Sequence, residues 1–414
     1  MHDLVITNIK QLINARENTG CLRGKDMAVL PAIENAYLIV EDGFIAGYGK
    51  MEELLQKKIP LPNQVIDATG KFILPCWCDS HSHLVFTGSR ENEFIDKIRG
   101  LGYAEIAARG GGILNSAQKL NETPEADLYA EAWKRLTEIA ATGTGAIEIK
   151  SGYGLSVEGE LKMLRVIKEL KQHSSLIIKS TFLGAHTYPL AYRENHQGYI
   201  DLIINDMLPV IHEEKLADYI DVFCETGFFS PEETAVIARA GADYGLKPKL
   251  HVNQLNNIGG VEAGIALNAV SLDHLEEMDD TTIEMLGKSS TIGTLLPSAA
   301  FFLGMGYPPA RKLIKAGAAV ALASDYNPGS SPSGNMNFVI SLACIRMKML
   351  PEEAINAATI NGACAMEIQD FAGTIAKGKL ANLIITKPIP SIAYLPYSFG
   401  NNLIEQVMIR GNFI

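Results

Sequence analysis

The sequence predicts an α/β fold: a (β/α)8 TIM-type barrel with a small β-sandwich domain built from both chain termini. Three observations predict it. Short β-like runs fill residues 1–74 and return after about Gly373. Between them, strand-length apolar runs alternate with amphipathic helical stretches, the pattern of βαβ units and a parallel sheet. Histidines and an aspartate recur just past the ends of several of those runs, at the rim where barrel enzymes place their chemistry.

Along the chain, residues 4–7, 36–41, 44–46, 64–67 and 72–74 read as strands, with Glu41-Asp42-Gly43 as a turn, and together suggest an antiparallel β unit. After Pro75, eight apolar runs follow at 76–78, 144–149, 176–182, 220–223, 249–252, 269–272, 291–295 and 318–323. Helices are predicted at 161–172, where leucines and charges alternate at helical spacing, and at 231–240, which opens with the start signal Ser230-Pro231-Glu232-Glu233. The sequence does not decide whether the eight strands close. The tail returns to β segments at 373–375, 382–385 and 407–409, broken by Gly378 and Pro388. The expected division is therefore 1–74 with 373–414 as one composite β domain, and 75–372 as the barrel.

At 414 residues the chain is long enough for a barrel-sized core and a smaller unit. With 47% hydrophobic and 20% charged residues, and no apolar stretch near the roughly 18 residues of a membrane span, the composition is that of a soluble protein. Met1-His2-Asp3 lacks the basic region and apolar core of a secretory signal, so a cytoplasmic location is expected. The six cysteines (Cys21, Cys76, Cys78, Cys224, Cys344 and Cys364) are scattered and read as reduced, buried bystanders. A formal charge of −11 without a basic stripe disfavours nucleic-acid and anionic-membrane partners. A small anionic substrate would need a local Arg or Lys.

The sharpest chemical signal is Asp79-Ser80-His81-Ser82-His83, directly after the first barrel run. Residues two apart on extended backbone point the same way, so both imidazoles can reach one metal ion. A lone His-x-His is weak evidence, but His251, His274 and Asp325 occupy equivalent positions after the fifth, sixth and eighth runs. His81, His83, His251 and Asp325 are assigned as ligands of one divalent metal or iron ion, zinc first and iron second, with a position left for water. His274 remains beside them as a proton-transfer group. Such a centre activates water and polarises a carbonyl, so hydrolysis at a carbon bonded to nitrogen is the expected chemistry. Gly110-Gly111-Gly112 lacks the Gly-Lys-Ser/Thr ending of a phosphate loop and reads as a tight or mobile loop near the site; no Gly-x-Ser-x-Gly elbow suggests a serine nucleophile.

These five residues resemble the pattern of the amidohydrolase superfamily. Two-metal members usually add a carboxylated lysine from strand four; here that strand ends in Phe223-Cys224-Glu225, which implies one metal. Within the superfamily the chain resembles the imidazolonepropionases over nearly its whole length. The matching blocks are Arg90-Glu91-Asn92-Glu93-Phe94, Gly110-Gly111-Gly112-Ile113, Lys150-Ser151-Gly152-Tyr153-Gly154-Leu155, Leu161-Lys162-Met163-Leu164, Gly184-Ala185-His186, Asp221-Val222-Phe223-Cys224-Glu225, Asp273-His274-Leu275-Glu276 and Ser324-Asp325-Tyr326-Asn327-Pro328. The resemblance implies hydrolysis of the lactam C–N bond of 4-imidazolone-5-propanoate to N-formimidoyl-L-glutamate, in histidine degradation, by a homodimer.

By the same resemblance Arg90 pairs with the substrate carboxylate, a forked contact that a lysine would not match. Tyr153 bonds the ring or carboxylate, and His186 donates to the developing oxyanion. Asn327, Gly329 and Ser330 bind the propanoate arm. Asp325 or His274 takes a proton from water and returns it to the leaving nitrogen, which makes His274, Asp325 and His186 the catalytic group. Two positions depart from the family pattern. Gln254 stands where some relatives carry glutamate, so it can orient the ring but cannot act as base. Pro75-Cys76-Trp77-Cys78-Asp79 replaces a commoner Pro-Gly start, and its cysteines read as core. The alternatives are another amidohydrolase acting on a cyclic amide or amino-heterocycle, as a deaminase would, and a non-catalytic binding barrel. Arg90 argues against the first and the complete ligand set against the second.

Overall fold

The computed structural model describes residues 3–17, 19–56, 62, 64–101 and 112–414. In the terminal unit, β1 (Leu4–Ile13) pairs antiparallel with β2 (Ala32–Glu41), which forms a hairpin with β3 (Phe44–Lys50) through the predicted turn, Gly43 taking φ 80°. A register shift between Ile6 and Ile9, at Asn8 with φ 54°, reverses the side-chain parity of β1. That bulge puts Leu4 and Ile6 in the same apolar core as Ile9 despite the odd spacing.

Before the bulge β1 pairs in parallel with β4 (Gln64–Asp67), and after it with β5 (Phe72–Pro75). The unit is therefore mixed, not antiparallel as its strand-length runs suggest. Apolar alternation marks a strand but carries no direction, and the connection from β3 to β4 crosses to the other edge of β1 instead of turning back beside β3.

The barrel consists of β6 (Trp77–Asp79), β7 (Thr144–Lys150), β8 (Ile177–Ala185), β9 (Tyr219–Cys224), β10 (Lys247–Val252), β11 (Ser271–His274), β12 (Ile292–Leu295) and β13 (Ala319–Leu322), each parallel to its sequence neighbours. All eight predicted runs are present as strands. Closure comes from residues just beyond the strand ends. Ser82 bridges Tyr326 in parallel, Asp325 N–H donates to His81 O (3.0 Å), and His83 N–H donates to Tyr326 O (2.9 Å). Below them the Asp79 carboxylate accepts from Ser324 N (2.9 Å) and Ser324 Oγ (2.5 Å). The segments that seal the barrel are the ones that hold the histidine pair and Asp325.

Helices cover the outside. Val157–His173 starts where Ser156 accepts from Gly159 N, and buries Leu161, Leu164, Ile167 and Leu170 at helical spacing. Pro231–Asp243 opens with a complete capping box between Ser230 and Glu233. After the barrel, β14 (Leu383–Thr386) pairs antiparallel with β5 and with β15 (Ile404–Ile409), and β15 with β16 (Asn412–Phe413), so both chain ends share one sheet. The run at 373–375 yields only an isolated bridge from Ile375 to Ala15, because Gly373 at φ 84° bends the chain out of extended geometry. Strand β16 was not anticipated. Of the predicted glycine loop, Gly110 and Gly111 lie outside the described residues. Gly112, at φ 87°, precedes the helix Ile113–Glu122, and its N–H donates to Glu93 Oε1 (2.9 Å).

Candidate active site

Every expected ligand stands at the C-terminal end of a barrel strand, and all are buried. His81 and His83 follow β6 on extended backbone, His251 lies near the end of β10 and His274 ends β11. Asp325 follows β13. Around His81 two groups of donors converge, each with its donor atoms within 4.8 Å of one another: His81, His251 and His274, and His81, His83 and Asp325. His274 is thus as much part of the cluster as the four assigned ligands. The His81 and His251 rings are 4.4 Å apart between centroids, and Asp325 Oδ1 stands 3.5 Å from Nε2 of both His81 and His83.

Backbone geometry aims the cluster. His274 (φ 87°), Leu275 (φ 68°) and Asp325 (φ 52°) adopt left-handed conformations that side chains other than glycine rarely take. Such residues cost about 1–3 kcal/mol each and concentrate at functional sites.

A layer of carboxylates orients the rings from below. Asp273 Oδ2 accepts from His81 Nδ1 (2.7 Å), and Asp221 Oδ2 accepts from His251 Nδ1 (2.7 Å). Because each Nδ1 donates, each neutral ring presents a lone pair at Nε2. Burial, reinforced by the neighbouring ammonium and imidazoles, holds His81, His83 and His251 well below the usual histidine range, so all three stay neutral. Burial pushes Asp325 up to about 6. For His274 burial acts downward, but Glu276, whose Oε2 is 3.5 Å from Nδ1, together with Asp325 and Asp273 outweighs it and the ring is raised. Among the described residues the buried Nε2 of His81 has no hydrogen-bond partner. Neutral nitrogens, a nearby carboxylate and an orphaned Nε2 at their centre fit a divalent cation. Cys78 lies in β6 and Cys76 just before it, both buried, their thiols pushed up by burial, Cys78 to about 12.

The remaining predicted residues surround this centre. Arg90 precedes the helix Glu91–Ile98, and its Nε and Nη2 donate to Ser116 Oγ at 3.0 and 2.7 Å. Its guanidinium lies 6.0 Å from the centre of the buried Tyr153 ring. Gly329 packs beside it so tightly that a Cβ there would come 2.6 Å from Arg90 Nη1. Asn327 Oδ1 accepts from the N–H groups of Gly329 and Ser330 (both 2.8 Å), and Ser330 Oγ donates to Asp325 Oδ2 (3.2 Å). That loop is therefore built on the aspartate.

His186 packs against both Tyr153 and His83, its ring stacked on His83 at 5.3 Å. Its Nδ1 is 3.0 Å from Gly152 O, which can only accept, so the proton is on Nδ1 and the neutral ring offers an acceptor at Nε2. Donation to an oxyanion would require the charged ring, and burial lowers His186 to about 4. Gln254 is half-buried in the loop after β10, where Glu225 accepts from the N–H groups of Leu255 (2.8 Å) and Asn256 (3.2 Å).

Sequence reasoning missed the residues that hold the site in place. Asp221, Asp273 and Glu276 lie inside motifs already noticed, yet their partners are up to 192 positions away. Glu160 lies just before the predicted helix at 161–172 and was not singled out, although it falls inside the observed helix Val157–His173. It accepts from Gly152 N (3.0 Å), Gly154 N (2.7 Å) and Leu155 N (2.9 Å) and so shapes the Tyr153 loop.

Known proteins match this arrangement at two levels. The fold is that of E. coli guanine deaminase (TM-score 0.73, 15% identity, 99% of this chain and 98% of that one) and of atrazine chlorohydrolase from Arthrobacter aurescens complexed with zinc (TM-score 0.70, 14% identity, 99% and 94%). Residues 229–414 match the Amidohydrolase family. In sequence, the imidazolonepropionase of Flavobacterium johnsoniae is 57% identical over 411 residues, 99% of each chain, and that of Thermoanaerobacter pseudethanolicus 42% identical over 407, covering 98% and 96%. With end-to-end identity of this order on an amidohydrolase barrel, the chain belongs to the imidazolonepropionase family.

Proposed function

We propose that the chain hydrolyses the lactam C–N bond of 4-imidazolone-5-propanoate, giving N-formimidoyl-L-glutamate in histidine degradation. The observation that carries this reading is the pairing of a buried His/Asp cluster with a forked cation, Arg90, next to Tyr153. A cyclic amide with one carboxylate arm matches that pairing; a neutral base would leave Arg90 without a purpose.

His81, His83, His251 and Asp325 would hold one ion, zinc before iron, with His274 close enough to join or assist. When bound, the ion supplies Lewis acidity, activating water and polarising the lactam carbonyl. Arg90 binds the propanoate, helped by the donors of the Asn327, Gly329 and Ser330 loop, and Tyr153 and Gln254 orient the ring. His186, held with its proton on Nδ1, accepts from a ring N–H at Nε2, which keeps the lactam carbon turned toward the cluster. Asp325 takes the proton of the attacking water at a carboxylate oxygen. Asp325 then delivers the same proton to the departing ring nitrogen, or His274 takes and returns it in place of Asp325, as one positioned group can serve in both directions.

Freshly prepared 4-imidazolone-5-propanoate tests the reading, with loss of the ring chromophore and appearance of N-formimidoyl-L-glutamate followed together. Turnover in the metal-loaded protein that is abolished in Asp325→Ala and weakened through KM in Arg90→Lys is the expected result. A metal-loaded sample that leaves this compound intact but opens or deaminates a neutral ring would overturn the substrate.

A further inference from the structure

The centre of the barrel beneath the histidines is ionic. Lys150, the last residue of β7, is wholly buried, and its Nζ touches Glu148 Oε1 (2.7 Å), Asp221 Oδ2 (2.9 Å) and Asp273 Oδ2 (3.5 Å). The last two oxygens are the same atoms that accept from His251 Nδ1 and His81 Nδ1. One ammonium therefore joins two ring-orienting carboxylates that arrive from different strands, β9 and β11. A second buried ammonium, Lys249 Nζ, contacts Glu148 Oε2 (3.0 Å) and Ser271 Oγ (2.7 Å), and that hydroxyl donates to Asp273 Oδ1 (2.6 Å).

We infer that Lys150 is a positioning residue for the cation site: it locks Asp221 and Asp273 relative to each other and so sets the angle at which Nε2 of His251 and His81 converge. This rests on the reading of those histidines as ligands. The competing explanation is charge balance, since three buried carboxylates beside one remaining ammonium would be costly whatever their task. Atomic placement separates the two. Glu148 needs a cation but touches no histidine, and Lys249 already contacts it; Lys150 lies on the two oxygens that steer rings 4.4 Å apart. Losing such an outer partner typically weakens a metal site by about 10–100-fold.

The experiment uses the full chain stripped of metal. Zinc affinity is measured by competition with a chromophoric chelator, and the d–d absorption of the Co²⁺ form reports ligand geometry. Three proteins are compared: wild type, Lys150→Met, and Lys150→Met with Glu148→Gln, which removes one cation and one carboxylate together. The expected result is zinc affinity about 10–100-fold weaker and an altered Co²⁺ spectrum in both variants, with the double variant's metal-free melting temperature close to that of wild type. Wild-type affinity and spectrum in the double variant would show that Lys150 only balances charge. Failure of both variants to fold would likewise assign it to stability and overturn the proposal. If wild type itself binds no zinc or cobalt, the ligand reading fails and this one with it.

Discussion

Gly329 shows how much a single missing side chain can decide at the residue scale. Its backbone lies outside the left-handed region, so alanine meets no torsional penalty, yet the new Cβ would come 2.6 Å from Arg90 Nη1. The guanidinium is the far end of a flexible side chain and can move away at little cost in stability. Gly329→Ala is therefore expected to leave the melting temperature nearly unchanged while KM rises on the order of tenfold, because a forked carboxylate contact tolerates little misplacement. Steady-state kinetics beside a thermal melt check this; an unchanged KM would remove Arg90 from the substrate site. His186 belongs to the same scale. A single acceptor, Gly152 O, decides which ring nitrogen carries the proton and hence what the residue offers a substrate.

Two elements depend on one side chain each. The turn that presents Tyr153 is fastened by Glu160, whose two oxygens take three backbone N–H groups. In Glu160→Gln one oxygen becomes an NH2 group facing a donor, so a loss of about 1–3 kcal/mol is expected. Turnover should fall with it as Tyr153 loses its place. Denaturant unfolding and kcat/KM together test the link; a destabilised variant with full kcat/KM would detach the loop from catalysis. The helix Pro231–Asp243 is the simpler case. Ser230→Ala breaks its capping box and should cost about 1 kcal/mol, read as a lowered unfolding midpoint; an unchanged midpoint would mean that packing alone holds the helix start.

The whole molecule couples barrel closure to the site, since the contacts that join the first and last barrel strands come from Asp79, His81, His83, Ser324, Asp325 and Tyr326. An ion bound between His81, His83 and Asp325 would tie the same seam from the inside. Chelation is thus expected to abolish turnover and also to lower the melting temperature, with both restored by added zinc. Binding to the native state alone adds about 4 kcal/mol when free ion is a thousandfold above Kd. Equal melting curves with and without chelator, at full activity, would remove the ion from both roles.

The sequence by itself determined the eight barrel strands, the cap of the helix Pro231–Asp243, and the His81/His83 pair with His251, His274 and Asp325 at strand ends. Each of these rests on short-range regularities: apolar runs of strand length, a cap that bonds a residue three positions on, side chains two apart on extended backbone. Only the tertiary structure decided the parallel pairing of β1 with β4 and β5, the seam that closes the barrel, the tautomer of His186 and the ionic floor of Glu148, Lys150, Asp221, Lys249 and Asp273. The physical reason is the same in each instance. Strand direction, a ring proton and the tolerance of a buried charge depend on partners brought together from distant segments, and a charged residue inside an apolar strand shows its neighbours no sign of the opposite charge that will meet it across the barrel.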